Sequence, residues 1–324
     1  MKEETAKQPL IILTGPTAVG KTALSIKLAE RVGGEIISAD SMQVYRHMDI
    51  GSAKIRPDEM AGIPHHLIDI LEPWEEFNVT VFQRKAKEAI ADIRSRGRVP
   101  VLTGGTGFYI QAVLYDIDFT ENAEDTSIRE ALERTAREKG AEYLHQMLRE
   151  VDPQSAARIH ANNVKRVVRA LEFFMQTGQK ISEHNERERG RESAYNSCYF
   201  VLNDSREAVY ARIDRRVDKM LAEGLVEEVK TLKKMGCTRD MVSMQGLGYK
   251  EILGYLDGEY DLDRAVYLIK RDTRHFAKRQ LTWFRRERDV IWLDRRDFAS
   301  EEEILDRMLQ DCTDRKLFVK KELL

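Results

Sequence analysis

At 324 residues, 42% hydrophobic and 33% charged, the chain can bury one large core or two modest ones, and its composition excludes a disordered protein. No run of about 18 apolar residues exists, so no membrane-spanning helix is expected. The opening MKEETAKQPL lacks an apolar signal core, which points to the cytoplasm rather than secretion. The net charge of −2 hides an asymmetry: between Arg264 and Arg296 eleven Lys/Arg face four acids, a local excess of seven. Such a segment is either a solvated face or a polyanion-binding surface. Cys198, Cys237 and Cys312 lie far apart without CxxC or Cys/His pairing and read as packing thiols in a reducing compartment.

In chain order, Pro9–Gly15 (PLIILTG) is an apolar run ending on glycine, a buried strand. Helical spacing follows from Lys21 to about Arg31. Glu35–Asp40 (EIISAD) and His65–Ile70 (HHLIDI) predict two more strands. Asn78 or Thr80 can cap a helix running to Arg96, with Phe82, Ala86, Ile90 and Ile93 on one face. Val99–Gly105 (VPVLTGG) is a strand closing on glycines. Strand and helix alternate, which predicts an α/β fold whose parallel sheet is flanked by helices. From Asp118 to about Ser197 strand signals vanish. SIREALERTAREKGAEYLHQML reads as polar helix, NNVKRVVRALEFFMQTG as a second helix stopped by Gly178, and SEHNERERGRES as a charge-dense loop or frayed helix. Residues 119–197 are therefore expected to form an all-helical insertion in a core built from 1–118 and 198–324. Cys198–Asn203 (CYFVLN) returns the chain to the sheet, and helices with a basic helical tail follow.

The chemistry starts at Gly15–Thr22, GPTAVGKT: Gly15, Pro16, Thr17, Ala18, Val19, Gly20, Lys21 and Thr22. In G-x-x-x-x-G-K-T the glycines let backbone N–H groups converge on phosphate oxygens, and the following helix adds its positive dipole end. Lys21 reaches a terminal phosphate, and Thr22 or Thr17 can meet Mg²⁺ or another oxygen. The fold expected is thus P-loop NTPase-like, for which a nucleoside triphosphate is the usual guest. Yet VPVLTGG ends in Thr103, Gly104, Gly105 and Thr106, not in the acid that holds Mg²⁺ in such enzymes. The carboxylate comes earlier, at Asp40 in DSMQVY, facing the carboxyl edge of the sheet where ligands bind. Spacing leaves Asp40 either a turn residue or a base or metal contact.

GPTAVGKT, DSMQVY, GSAK, HHLID, GGTGFY, RIHANNVKRVVRALE, RIDRRVDKML, EGLVEEV, QGLGYKE and FAKRQLTWFRR occur in this order from about Leu10 to Arg286. Together they resemble the tRNA dimethylallyltransferases (tRNA isopentenyltransferases) of the bacterial type. Ser52 and Ile55 stand where GTAKP is commoner, and Ala161 and Asn163 where HPND is commoner. The resemblance implies transfer of a dimethylallyl group from dimethylallyl diphosphate to N6 of the adenine 3′ of the anticodon. The loop then holds a prenyl diphosphate that leaves as pyrophosphate.

By that resemblance Asp40 accepts a proton from the exocyclic amine, and Lys21, Thr22, the loop amides and Mg²⁺ meet the developing diphosphate charge. Arg212 and Arg216 share a helix face at i, i+4, and either can add a guanidinium clamp or remain a solvated partner of Asp214 and Asp218. The resemblance assigns substrate-nucleotide contacts to Asp40, Ser41, Met42 and Gln43, to Thr106, and to Gln245, Gly246, Leu247, Gly248, Tyr249 and Lys250. Val164, Lys165, Arg166, Val167 and Val168 would carry the anticodon-stem contact from the insertion. Tyr45, Gln43, Phe108 and Tyr109 are suitable types for holding single-stranded RNA, or core. Lys278 and Arg279 would grip phosphates, with Trp283 and Phe284 either in that surface or in the core. A monomer is expected. A P-loop small-molecule kinase and a nucleotide-switched RNA-binding protein are the rival classes.

Overall fold

The structure, a computed structural model, describes residues 7–119 and 127–318; residues 1–6, read above for the lack of an apolar leader, lie outside it. The strands are β1 (Gln8–Thr14), β2 (Gly34–Ala39), β3 (His65–His66), β4 (Val99–Gly104), β5 (Tyr195–Asn203) and β6 (Val290–Asp294). The α-helices are α1 (Lys21–Val32), α2 (Val79–Ser95), α3 (Gly107–Leu114), α4 (Ser127–Lys139), α5 (Ala141–Val151), α6 (Pro153–Arg158) and α7 (Val164–Thr177). They continue with α8 (Ile181–Gly190), α9 (Arg206–Ala222), α10 (Leu225–Lys234), α11 (Tyr249–Leu256), α12 (Leu262–Phe284) and α13 (Glu301–Asp314). Two compact units result, Met1–Leu114 with Ala194–Leu324, and Tyr115–Ser193, against the 119–197 expected for the insertion.

The larger unit is a six-stranded sheet in the order β3-β2-β4-β1-β5-β6, parallel at every pairing. Parallel neighbours need long crossovers, and helices supply them. Alternation sorts the strand side chains onto two faces. Ile11, Leu13, Ile36, Val101, Phe200 and Leu202 form one cluster with Leu24 and Leu28 of α1 and Ile304, Leu305 and Met308 of α13. The alternate positions Leu10, Ile12, Ile37 and Leu102 are equally enclosed, and α2 packs against β2 and β4. A sheet covered on both faces explains why its strands read as continuous apolar runs. Asn78 caps α2 by accepting from the Thr80 and Val81 N–H groups, and the four apolar residues expected on its inner face are its buried ones. All three cysteines are free and buried, as packing thiols.

Three expectations need correction. The strand expected at His65–Ile70 stops after His66, because Leu67 (φ 62°) and Asp69 (φ 52°) adopt left-handed backbone that no ladder accommodates. The basic stretch is not helical throughout: α12 ends at Phe284 and VIWLD forms edge strand β6 beside β5. The polar segment Ser127–Leu148 is two helices, α4 and α5, broken at Gly140, whose φ of 89° suits only glycine. The charge-dense SEHNERERG resolves to helix, α8.

Within the smaller unit Leu132, Leu144, Leu148, Val167, Val168 and Leu171 make the core. Asp152 fastens it. Its buried carboxylate caps α6 and accepts from Ser155 N (3.0 Å) and Oγ (2.6 Å) and from Ser182 N (3.0 Å) and Oγ (2.7 Å). Burial alone would push this carboxyl up, but the four hydrogen bonds outweigh it and hold the acid below its usual range. A carboxylate depressed in this way contributes stability that is complete above the unfolded carboxyl pKa and is lost as pH falls through the folded one. Asp152→Ala should therefore destabilise by about 2–4 kcal/mol, since it strands buried donors on Ser155 and Ser182. The check is urea unfolding at pH 7 and pH 4; a variant that matches wild type at pH 7 would contradict the bonding.

Candidate active site at the carboxyl edge of the sheet

The carboxyl ends of β1, β4 and β2 lie side by side, so the segments that follow them converge. Thr14 pairs with Gly104 and Ala39 with Gly104 in the ladder. Thr14 Oγ1 donates to Gly104 O (2.7 Å) and Thr103 Oγ1 to Leu13 O (3.0 Å). The glycine-rich loop leaves β1, Asp40 follows β2, and Gly105–Thr106 follow β4. Thr106 N donates to Ala39 O (3.3 Å), and its own carbonyl starts α3 by accepting from Tyr109 and Ile110. Gly15 sits so close to β5 that a Cβ would strike the Leu202 carbonyl, which is why a residue with no side chain occupies it. Ala18 also takes left-handed backbone, φ 61°.

Lys21 folds over the loop and donates from Nζ to Gly15 O (2.9 Å) and Pro16 O (2.8 Å). Burial, followed by the nearby Arg216 charge, lowers its pKa to about 7 against the opposing pull of Asp40. Arg216 lies within 3.5 Å of Thr17 Oγ1, and burial lowers its pKa while Asp40 raises it. Two basic groups and one carboxylate therefore share the site beside the loop. Thr22 is exposed at the start of α1. Asp40 is a turn residue in part: its Oδ1 accepts from Met42 N (2.8 Å) and Gln43 N (3.3 Å), so the chain it heads is held while Oδ2 stays outside that turn. Gln43 is tied on both sides, accepting from Ser38 Oγ (3.2 Å) and donating to the Ser52 and Ala53 carbonyls.

The two arginines divide. Arg212 is spoken for: Nε donates to Ala18 O (2.8 Å) and Nη2 to Asp204 Oδ2 (2.7 Å). Arg216 is the one beside Lys21 and Asp40. Direct contact by several expected residues is corrected by burial. Val167 and Val168 are core of the insertion, leaving Lys165 and Arg166 as the exposed members of that stretch. Tyr45 and Tyr109 belong to an aromatic cluster with Phe77 and Phe82, and Tyr109 stacks on Phe82 at 4.6 Å. Phe108 is exposed and meets the Trp283 ring edge-on at 6.0 Å, while Phe284 is fully enclosed. Tyr249 is enclosed too, and its hydroxyl donates to Glu228 Oε1 (2.8 Å). Gly246, Leu247 and Gly248 form the turn into α11; Gln245 is exposed, and Lys250 lies 3.4 Å from Glu251. In the basic window Lys270 and Arg274 pair with Asp218 (2.5 Å) and Asp214 (3.0 Å) of α9, whereas Lys278 and Arg279 are exposed.

Three supports were not read from sequence. Gln280 accepts from Thr17 N (2.8 Å) and donates to Gly105 O (2.9 Å), joining the loop after β1 to the turn after β4. Its signal was a polar residue on the buried stripe Ala277, Gln280, Phe284 of α12. Glu228 gathers the backbone N–H groups of Asp49 (2.9 Å), Ile50 (2.7 Å) and Gly51 (3.0 Å) as well as the Tyr249 hydroxyl, fixing the loop that backs Gln43. Lys54 runs inward to the Tyr45 carbonyl (2.7 Å) and to Asp49 (2.6 Å) and Asp69 (2.5 Å). Among the described residues no cluster of three His, Cys, Asp or Glu could hold a metal alone.

A family model described as IPP transferase matches residues 43–287, and one described as isopentenyl transferase matches 8–70. A curated tRNA dimethylallyltransferase of Lachnoclostridium phytofermentans is 62% identical over 310 residues, covering 96% of this chain and 99% of its own. The crystal structure of the tRNA isopentenylpyrophosphate transferase of Bacillus halodurans is 44% identical with a TM-score of 0.73, covering 96% of this chain and 97% of that one. A eukaryotic dimethylallyltransferase solved acting on tRNA is 28% identical with a TM-score of 0.79, covering 98% and 81%.

The lowered Lys21 pKa makes anion binding pH-dependent. Above about pH 7 the lysine is neutral, below it charged, and a bound diphosphate favours the charged form. Binding of inorganic pyrophosphate at pH 8 should therefore take up a proton, and affinity should fall as pH rises from 7 to 9. Calorimetric titration in buffers of different ionisation heat measures the uptake. Equal proton counts for wild type and Lys21→Met would contradict the assignment.

Proposed function

Because the chain belongs to the tRNA dimethylallyltransferase (IPP transferase) family, we propose that the carboxyl-edge site carries out that prenyl transfer with a specific division of labour. The enzyme transfers a dimethylallyl group from dimethylallyl diphosphate to N6 of the adenine immediately 3′ of the anticodon, releasing pyrophosphate. The N6 lone pair is delocalised into the ring, so the amine is a weak nucleophile and needs alignment and a proton acceptor. Asp40, held by its Oδ1 turn bonds, offers Oδ2 to the amine. N6 attacks the first carbon of the donor, the carbon–oxygen bond breaks with its electron pair going to diphosphate, and the N6 proton passes to Asp40. Lys21, Arg216 and the loop amides Gly15–Thr22 stabilise the departing charge, with Arg212 bracing the loop from behind. The observation that carries this reading is the meeting of Asp40, Lys21 and Arg216 beside one phosphate loop.

Magnesium fits this setting. It is bound by few protein oxygens together with substrate phosphates and water, and the Thr22 hydroxyl at the head of α1 is a hard donor beside the loop. When bound, the ion supplies charge neutralisation at the diphosphate.

The target adenine must leave the anticodon-loop stack to react. Ser41, Met42, Gln43, Thr106, the Gln245–Gly248 turn and Lys250 are the proposed nucleotide contacts. Lys165 and Arg166, and separately Lys278 and Arg279, are the proposed phosphate contacts. No helix among the described residues is long and apolar enough to cross a membrane, and the proposal places the enzyme in the cytoplasm as a monomer.

The direct test is incubation with radiolabelled dimethylallyl diphosphate and unmodified tRNA, then digestion to nucleosides. Lys21→Ala should lower transfer at least about a hundredfold, the scale of one lost electrostatic donor. Asp40→Asn should cut turnover roughly 10²-fold while tRNA still binds; an Asn variant that binds tRNA poorly but reacts normally at saturation would move the base elsewhere. Charge reversal at Lys165 with Arg166, or at Lys278 with Arg279, should weaken tRNA binding and reduce the salt slope by about one per lost phosphate contact. Filter-binding slopes equal to wild type would remove these residues from the interface.

A further inference from the structure

The loop is gripped from outside by two arginine–carboxylate pairs of matching build. Arg212 Nε donates to the Ala18 carbonyl and Nη2 to Asp204. Arg295, just past β6, does the same one residue on: Nε donates to Val19 O (3.0 Å) and Nη2 to Glu301 Oε2 (2.9 Å). Glu301 is the first residue of α13, and Lys27 of α1 donates to its other oxygen at 2.8 Å. The Arg295 guanidinium lies so close to Gly20 that a Cβ there would meet Nη2 at 2.5 Å.

A trans peptide points its C=O and the next N–H in opposite directions. Fixing the Ala18 and Val19 carbonyls toward the arginines therefore aims the Val19 and Gly20 N–H groups away from them, to the side where an anion is cradled. We propose that Arg295, anchored by Glu301, is a positioning residue for the prenyl diphosphate: it sets the amide donors of the loop without touching the substrate. The inference rests on the diphosphate reading of the loop. Guanidinium geometry is essential to it, because one fork must reach a carbonyl and a carboxylate together, which a lysine ammonium on its stem does not reproduce.

The test uses the full chain and inorganic pyrophosphate as probe, titrated calorimetrically against wild type, Arg295→Ala, Arg295→Lys and Glu301→Gln. Both Arg295 variants should bind at least about tenfold more weakly, the scale of one charge-assisted hydrogen bond, and Glu301→Gln should fall between. KM for dimethylallyl diphosphate should rise in parallel while KM for tRNA stays put, a split that general loss of structure would not give. Added guanidinium ion should partly restore Arg295→Ala. If that variant fails to fold, Arg295→Lys and Glu301→Gln decide. Wild-type pyrophosphate affinity in Arg295→Lys would overturn the clamp and leave only a charge effect. A wild-type protein that does not bind pyrophosphate would overturn the diphosphate reading itself.

Discussion

The amide of Gln280 is the joint on which the site turns. It spends an acceptor on Thr17 N–H and a donor on Gly105 C=O, so the phosphate loop and the turn after β4 are spaced by one planar group on α12. The Gln280 side chain is buried and both bonds are partly so, and losing either would leave a half-buried backbone group short of a partner. With the hydroxyl bonds from Thr14 to Gly104 O and from Thr103 to Leu13 O, this fixes the start of the loop against the end of β4. Asp40 is set against the same frame through the contact of Thr106 with Ala39. Helix α12 thus sets the spacing between the phosphate loop and the turn after β4.

Around that frame the electrostatics are unfinished by design. Lys21 and Arg216 are basic groups that both feel the charge of the Asp40 carboxylate. In a low-dielectric setting such basic groups strongly favour an incoming anion, and Lys21 completes its charge by taking up a proton as the anion binds. The reading also explains why β4 can end in glycines. A prenyl diphosphate leaves as a whole, and no phosphoryl group is transferred that would need an acid at that strand end.

What the sequence made legible follows from the range of the forces. The phosphate loop, the Asn78 cap and the buried strands are set by neighbours in the chain, and each left a local pattern. HHLIDI misled because left-handed backbone at Leu67 and Asp69 overrides an apolar run. VIWLD was passed over because, of its five residues, only Leu293 is fully buried and the flanks are basic. Arg212 and Arg216 could not be told apart because i, i+4 residues share a face; only the fold shows which reaches the Ala18 carbonyl and which the Thr17 hydroxyl. Gln280, Glu228 and Arg295 act on backbone far away in sequence, and no spacing rule carries that information. The burial of Val167, Val168 and Tyr249 likewise depends on partners that only the packed structure supplies.

The place of β5 in the sheet has a consequence on the ribosome. Strand β1 is flanked by β4 and β5, and between the last two the chain must be synthesised through α3 and the whole of residues 115–193. At roughly 5–20 residues per second that interval lasts several seconds or more. Throughout it β1 presents an unpaired hydrophobic edge, the kind of surface on which nascent chains pair wrongly. The inserted helices, with a core of their own, can fold within that pause. Their emergence ahead of β5 means that the sheet is completed last on this side, after the insertion has been made.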